Sequence, residues 1–212
     1  MIISTNTQLL GPEHPDTLTS INNLALTFSD QGQFEKAEKL QMQVFNLRTK
    51  LLGPEHPDTL ISMNNLALSF SHQGKFEEAE KWQMQVLNWR KKLLGPEHPH
   101  TLTNMNNLAS TFSDKGQLEE AEKLQKQVFN LCTKLLGSEH PDTLLSMNNL
   151  ASHFANQGKF EKAEKMEMQV LNLCRKVLGP EHPQTLISIN NLATIFTKQG
   201  KFEEAEKLKM KV

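Results

Sequence analysis

The sequence predicts an all-α protein, a right-handed superhelical solenoid built from antiparallel helix pairs of 42 residues. A run beginning Gly-Pro-Glu-His-Pro starts at Gly11, and equivalent runs start at Gly53, Gly95, Gly137 and Gly179. Glycines also follow one another at an even step of 21 residues, from Gly11 to Gly200, and divide each unit into two equal segments. Apolar residues recur at helical spacing within both segments. Since one such pair cannot bury its own apolar face, we expect stability to come from stacking of the units.

The first segment of each unit has the signals of a helix start and stop. Pro15 fits the first helical position, His14 stands at the cap, and Asp16 suits the positive end of the helix dipole. Gly32 supplies a left-handed stop. The predicted inward face consists of Leu18, Ile21, Leu24, Ala25 and Phe28.

The second segment predicts a helix that begins near Phe34 and is ended by Gly53 and Pro54. Its predicted inward face consists of Phe34, Ala37, Leu40, Val44, Leu47 and Leu51. Oppositely charged residues four positions apart predict ion pairs on a solvated face, namely Glu35–Lys39, Glu77–Lys81, Glu119–Lys123 and Glu161–Lys165.

The chain divides into one array with incomplete units at both ends. Residues 1–10 are expected to be the tail of a preceding second helix, and 179–212 a truncated repeat. The complete repeats are predicted at 11–52, 53–94, 95–136 and 137–178. Because neither end has a polar capping helix, we expect a fragment of a larger protein whose ends can stack on one another.

Charge and hydropathy narrow the class of partner. The formal net charge is −1, so the chain lacks the excess of basic residues that is typical of nucleic-acid-binding proteins. No run of 18 apolar residues and no charged leader occurs, so we expect no membrane partner and an intracellular, cytoplasmic protein.

Cysteine and histidine spacing argues against metal or redox chemistry. Cys132 and Cys174 stand 42 residues apart, at equivalent places in successive units, so we expect two partly exposed thiols and no disulfide. The histidines recur once per unit, at His14, His56, His98, His140 and His182. Ligands on successive layers cannot converge on one ion, so a helix-cap role is expected. We expect no catalytic residue, metal or cofactor.

Each unit resembles the tetratricopeptide repeat. The resemblance rests on the pattern Asn22-Asn23-Leu24-Ala25, Phe28, Gln31-Gly32, Phe34, Ala37-Glu38 and Val44, in which Ala25 and Ala37 match the small residues that pack together. The 42-residue length is similar to the repeats of kinesin light chains and of arrays in fungal and bacterial signalling proteins. Gln41, Gln83, Gln125 and Glu167 depart from the pattern, since they stand where the family often has an aromatic residue.

The resemblance implies that first helices line a concave groove, where a row of asparagines could hold the backbone of a peptide. Amides offer both a donor and an acceptor. The groove row is Asn22, Asn64, Asn106, Asn148 and Asn190, for which a purely structural role is equally open. Leu26 and Leu68 make the groove apolar in the first two repeats. The charge along the groove differs between repeats at Asp30, His72 and Asp114. The adjacent row is expected to form a structural ladder of amide hydrogen bonds, and consists of Asn23, Asn65, Asn107, Asn149 and Asn191.

These features predict a non-enzymatic scaffold for protein–protein interaction that binds peptide segments or helices. Between 11–52 and 53–94, 32 of 42 positions match, which indicates recent duplication or consensus design and a weakly selective surface. The alternative is a structural or regulatory arm of a larger signalling ATPase, with no ligand of its own.

Overall fold

A computed structural model describes residues 8–210, and within them every regular element is an α-helix. The first helices of the pairs are α1 (Pro15–Asp30), α3 (Pro57–His72), α5 (Pro99–Asp114), α7 (Pro141–Asn156) and α9 (Pro183–Lys198). The second helices are α2 (Phe34–Leu52), α4 (Phe76–Leu94), α6 (Leu118–Leu136), α8 (Phe160–Val177) and α10 (Phe202–Lys209). The prediction of an all-α chain of repeated helix pairs is confirmed.

The chain forms two compact units. Unit 1 spans Met1–Lys115 and contains α1 to α5, and unit 2 spans Gly116–Val212 and contains α6 to α10. Within each unit, every helix packs against the next one along the chain. Residues 8–10 of the predicted leading tail are helical, and residues 1–7 lie outside the described part of the chain.

The connector before each first helix works as predicted from its proline and histidine. His14 has an extended backbone, and its Nδ1 accepts a hydrogen bond from the Asp16 N–H at 3.2 Å. The same bond is made by the ring of His56, His98, His140 and His182. The imidazole therefore satisfies one of the N–H groups that a helix start leaves unpaired.

Glycine is required at both helix ends by backbone conformation. Gly32 has φ 72° and Gly53 has φ 90°, a region that costs other residues energy, and neither has an atom within 4 Å of where a Cβ would stand. After α1, the Gln33 N–H donates to the Phe28 carbonyl at 2.8 Å, which is the hydrogen bond of a Schellman cap.

The core of each pair lies where its two helices meet. Ala25 and Ala37 are both fully buried, as the small-residue pair of the pattern requires. Leu18, Ile21 and Val44 form an apolar cluster around this contact. The inward faces predicted from helical spacing therefore supply the core at these positions.

Two local predictions need correction. Leu51 is 42% exposed rather than buried, and so are its counterparts Leu93, Leu135 and Val177, because the last turn of each second helix faces solvent. Both thiols, expected to be partly exposed, are buried, and burial raises the pKa of Cys132 and of Cys174. Both cysteines are free.

Among the described residues, more ion pairs join two successive repeats than join residues four positions apart within one helix, the spacing that the sequence predicted. Glu38 pairs with Lys75 at 3.0 Å, and Glu164 pairs with Lys201 at 2.8 Å, each lysine belonging to the following repeat. Pairs with the predicted spacing of four residues are Glu122–Lys126 and, at 3.7 Å, Glu203–Lys207. Lysines of the next repeat thus pair with glutamates for which the sequence pattern predicted no partner.

Candidate functional site

The predicted groove asparagines occupy corresponding positions on the first helices. In unit 1, Asn22, Asn64 and Asn106 are half-buried. In unit 2, Asn148 is only 4% exposed, whereas Asn190 is exposed. The solvent exposure of this row is therefore more uniform in unit 1 than in unit 2.

The amide hydrogen bonds join the two asparagine rows to each other instead of running within one row. Asn65 Nδ2 donates to Asn22 Oδ1 at 3.0 Å, and Asn107 Nδ2 donates to Asn64 Oδ1 at 3.2 Å. Asn191 Nδ2 donates to Asn148 Oδ1 at 2.6 Å in unit 2. Each bond uses one of the two lone pairs of a groove-row amide oxygen, and it does not involve that amide's NH₂ group. The bonds to Asn22 and Asn64 therefore orient these two amides and leave their NH₂ groups unused.

The residues predicted to flank the row are accessible in unit 1. Leu26 is 40% exposed and Leu68 is half-buried, so an apolar surface lies beside the amides. Asp30, His72 and Asp114 are exposed. His72 Nδ1 lies 3.3 Å from Ser29 Oγ, and its ring centroid lies 5.5 Å from that of Phe34. This position is therefore held by contacts with the preceding repeat.

Residues 8–210 contain no group of three or more histidine, cysteine, aspartate or glutamate side chains that could hold a metal ion. Among these residues, no helix combines the length and apolar character needed to cross a bilayer.

Comparison with known proteins identifies the repeat. The tetratricopeptide repeat model matches residues 3–50, 28–88, 64–129, 105–176 and 153–212, which together cover nearly the whole chain. The chain belongs to the tetratricopeptide repeat family. Tetratricopeptide repeat proteins are scaffolds for protein–protein interaction and are typically non-enzymatic.

One solved structure agrees with this membership, and two further structures share the fold. The nearly identical TPR-like repeats of a predicted kinesin light chain from Podosopora anserina are 35% identical, with TM-score 0.77, over 92% of this chain and 93% of that one. BtubC from P. vanneervenii is 21% identical, with TM-score 0.76, over 97% and 83%. NprR in complex with its cognate peptide NprX is 17% identical, with TM-score 0.69, over 97% and 58%. No curated protein sequence matches the chain.

Sequence reasoning noted one unusual row but did not predict that it is buried. Gln41, Gln83, Gln125 and Glu167 lie on successive second helices, and all are buried. Neither carboxyl oxygen of Glu167 has a hydrogen-bond partner of normal geometry within residues 8–210. Burial raises the pKa of Glu167 to about 8, and nearby Ser188 lowers it only in part. Glu167 is therefore mainly protonated at neutral pH.

Next to this row lies a second set of buried polar contacts. Arg48 Nη1 donates to Ser62 Oγ at 2.9 Å and to the Asp58 carbonyl at 3.1 Å. Arg90 Nη1 donates to the His100 carbonyl at 2.9 Å. Burial lowers the pKa of both guanidinium groups. The sequence shows an arginine at these two positions. That its side chain points into the interior could not be predicted, because this depends on how the helices pack.

His153 is a further buried polar residue that the sequence pattern did not indicate. Its Nε2 lies 2.9 Å from the Leu118 carbonyl and 2.8 Å from Gln157 Nε2. Desolvation lowers the pKa of His153. Its counterparts Thr27, Ser69, Thr111 and Ile195 do not titrate. It therefore replaces small or apolar residues and connects the start of α6 to α7.

Proposed function

We propose that unit 1 binds an extended peptide segment of a protein partner along the groove formed by α1, α3 and α5. The observation that carries this proposal is the orientation of the amides. Asn22 and Asn64 have their oxygens occupied by the neighbouring repeat, which fixes the side chains and leaves the NH₂ groups for a ligand. A fixed donor loses little rotamer freedom when a ligand binds.

Each amide would donate to a backbone carbonyl of the peptide. Such a contact holds any sequence in an extended conformation, since it does not read side chains. Near-identical repeats provide this donor at regular intervals, so several weak contacts add up along one ligand.

Selectivity would come from the flanking side chains. Leu26 is 40% exposed and would receive an apolar side chain of the peptide, next to Leu68. Exposed Asp30 and Asp114 favour a lysine or arginine in the ligand. NprR, which has a similar fold, was solved with a bound peptide, and this supports the proposal by analogy.

The experiment replaces Asn64 by aspartate, which keeps the acceptor for Asn107 and removes the NH₂ donor. A peptide library selects a ligand for the unmodified chain, and its affinity is then measured by fluorescence anisotropy. We expect Asn64→Asp to weaken binding about tenfold, the usual effect of one buried hydrogen bond, with little change in melting temperature.

Asn190→Asp is the matched control, because Asn190 lies outside unit 1 and is exposed. It should leave the affinity unchanged. Equal losses of affinity in both variants would show that the added charge, and not the missing donor, is responsible. Unchanged affinity in Asn64→Asp would refute the proposal that the peptide binds along this groove.

Association of the chain ends with one another stays a prediction beside this proposal. In unit 2, Phe202 is 62% exposed, whereas its counterparts Phe34, Phe76 and Phe160 are half-buried, so the last helix pair presents an apolar side chain that a second copy would cover.

A further inference from the structure

A pocket of about 430 Å³ opens in unit 2 between α6, the start of α7 and α8. Its size falls in the range of small-molecule sites. The floor is apolar and is formed by Phe129, Met147 and Leu173. The polar side chains around it are Ser138, Thr143, Gln169 and Asn172.

Thr143 in this pocket has a buried hydroxyl without a partner. The corresponding threonines of the other repeats each donate to the carbonyl of the connector glycine, and these pairs are Thr17–Gly11, Thr59–Gly53, Thr101–Gly95 and Thr185–Gly179, at 2.7–2.9 Å. Thr143 is 2% exposed, and within residues 8–210 its Oγ1 has no hydrogen-bond partner. A buried polar atom in this state is costly unless a ligand pairs with it.

At the equivalent place, unit 1 has aromatic rings. There, Trp82 and Trp89 pack against a core cluster of Leu60, Met63 and Val86. The Trp82 ring meets Phe45 edge-on, with centroids 5.0 Å apart.

The corresponding cluster of unit 2 consists of Leu144, Met147, Val170 and Cys174. Met166 and Leu173 pack against it at the positions that Trp82 and Trp89 hold in unit 1. The same framework is thus built with two indole rings in one unit and with smaller side chains in the other, and the pocket lies beside the smaller ones.

We propose that this pocket binds a small aromatic molecule of indole size that carries one N–H donor, with the ring on Phe129, Met147 and Leu173 and the N–H donating to Thr143 Oγ1. The ring would take the space that indoles occupy in unit 1, and the donor would pair the hydroxyl that is unpartnered in unit 2. This site lies on different residues from the groove of unit 1, so each can fail without the other.

The test compares indole with indene, which has nearly the same shape and lacks the N–H group. Binding is followed through the ¹³C methyl signals of Met147 and Thr143 in the whole chain. We expect indole to bind with roughly millimolar affinity, as suits a ligand of this size, and indene to bind at least fivefold more weakly. Absence of any shift with indole, or equal binding of indole and indene, would overturn the proposal.

Two variants and a control complete the test. Thr143→Val should reduce indole binding to the level of indene, and Leu173→Trp should abolish binding by filling the pocket as Trp89 does in unit 1. Thr59→Val removes the corresponding hydroxyl from unit 1 and should leave indole binding unchanged. Unchanged binding in Leu173→Trp would overturn the assigned position. N-acetyltryptophanamide binding more than fivefold tighter than indole would overturn the small-molecule assignment in favour of a protein ligand.

Discussion

Units 1 and 2 use the same helix pairs but build different interiors. At one inward position, unit 1 places Arg48 and Arg90, whose guanidinium groups bond to the following first helix. Unit 2 places Cys132 and Cys174 there, and both are buried. A long charged side chain and a small apolar one thus occupy equivalent sites. The helix framework is therefore fixed by other residues, chiefly the connectors and the alanine pair.

The aromatic residues show the same division. Both tryptophans of the chain lie in α4 of unit 1, while unit 2 has Met166 and Leu173 at their places. The pocket of unit 2 is lined by Leu173, the counterpart of Trp89. Since tryptophan fluorescence reports on unit 1 alone and circular dichroism reports on all helices, the two units can be followed separately in one sample.

The largest expected effect concerns Glu167, which stands in unit 2 where unit 1 has Gln41 and Gln83. Folding raises the pKa of this carboxyl to about 8 from its ordinary 4.5. Between these values the folded chain keeps the proton that the unfolded chain releases, so the free energy of unfolding falls as pH rises from about 4.5 to about 8, and then levels off.

Glu167→Gln should therefore stabilise unit 2 at pH 9 by on the order of 3 kcal/mol and have little effect at pH 5. Urea unfolding followed by circular dichroism at both pH values measures this difference. Gln83→Glu is the converse control, which should introduce the same pH dependence into the fluorescence transition of unit 1. If the free energy of unfolding depended on pH in the same way in Glu167→Gln and in the unmodified chain, the prediction would be contradicted.

A smaller effect is expected when the interior of unit 2 is copied into unit 1. Arg48→Cys removes two hydrogen bonds and the packing of the arginine stem, and should lower the free energy of unfolding of unit 1 by about 2 kcal/mol. Fluorescence-detected urea unfolding measures the loss. Lys39→Cys, at an exposed position of α2 in the same unit, is the control and should change little. No loss in Arg48→Cys would mean that the two interiors are energetically equivalent.

The smallest effect concerns a bond that both units share. Asn107→Ala breaks the hydrogen bond to Asn64, and Asn191→Ala breaks the one to Asn148. Each should cost about 1 kcal/mol, the usual net value of such a bond. Melting curves of the two variants test this, and an unchanged curve for Asn107→Ala would show that the amide pairs do not stabilise the stack.

The sequence predicted those parts of the fold that depend on local chemistry. Pro15 and His14 predict a helix start, and Gly32 and Gly53 predict helix ends. Each follows from backbone preference or helical spacing, which one segment contains by itself. For the candidate groove, the sequence predicted which asparagines share a row, since a repeat places equivalent residues on equivalent helices.

Packing between repeats decided the rest. The pairing of Asn65 with Asn22, the depth of Glu167, the partners of Arg48 and the unpartnered hydroxyl of Thr143 depend on which side chains of one repeat meet the next. No spacing rule contains this information, because side chains from separate repeats meet only after the helices have stacked. Local signals from proline, histidine and glycine thus determined where the helices begin and end, and tertiary contacts determined which polar groups are hydrogen-bonded, buried or unpartnered.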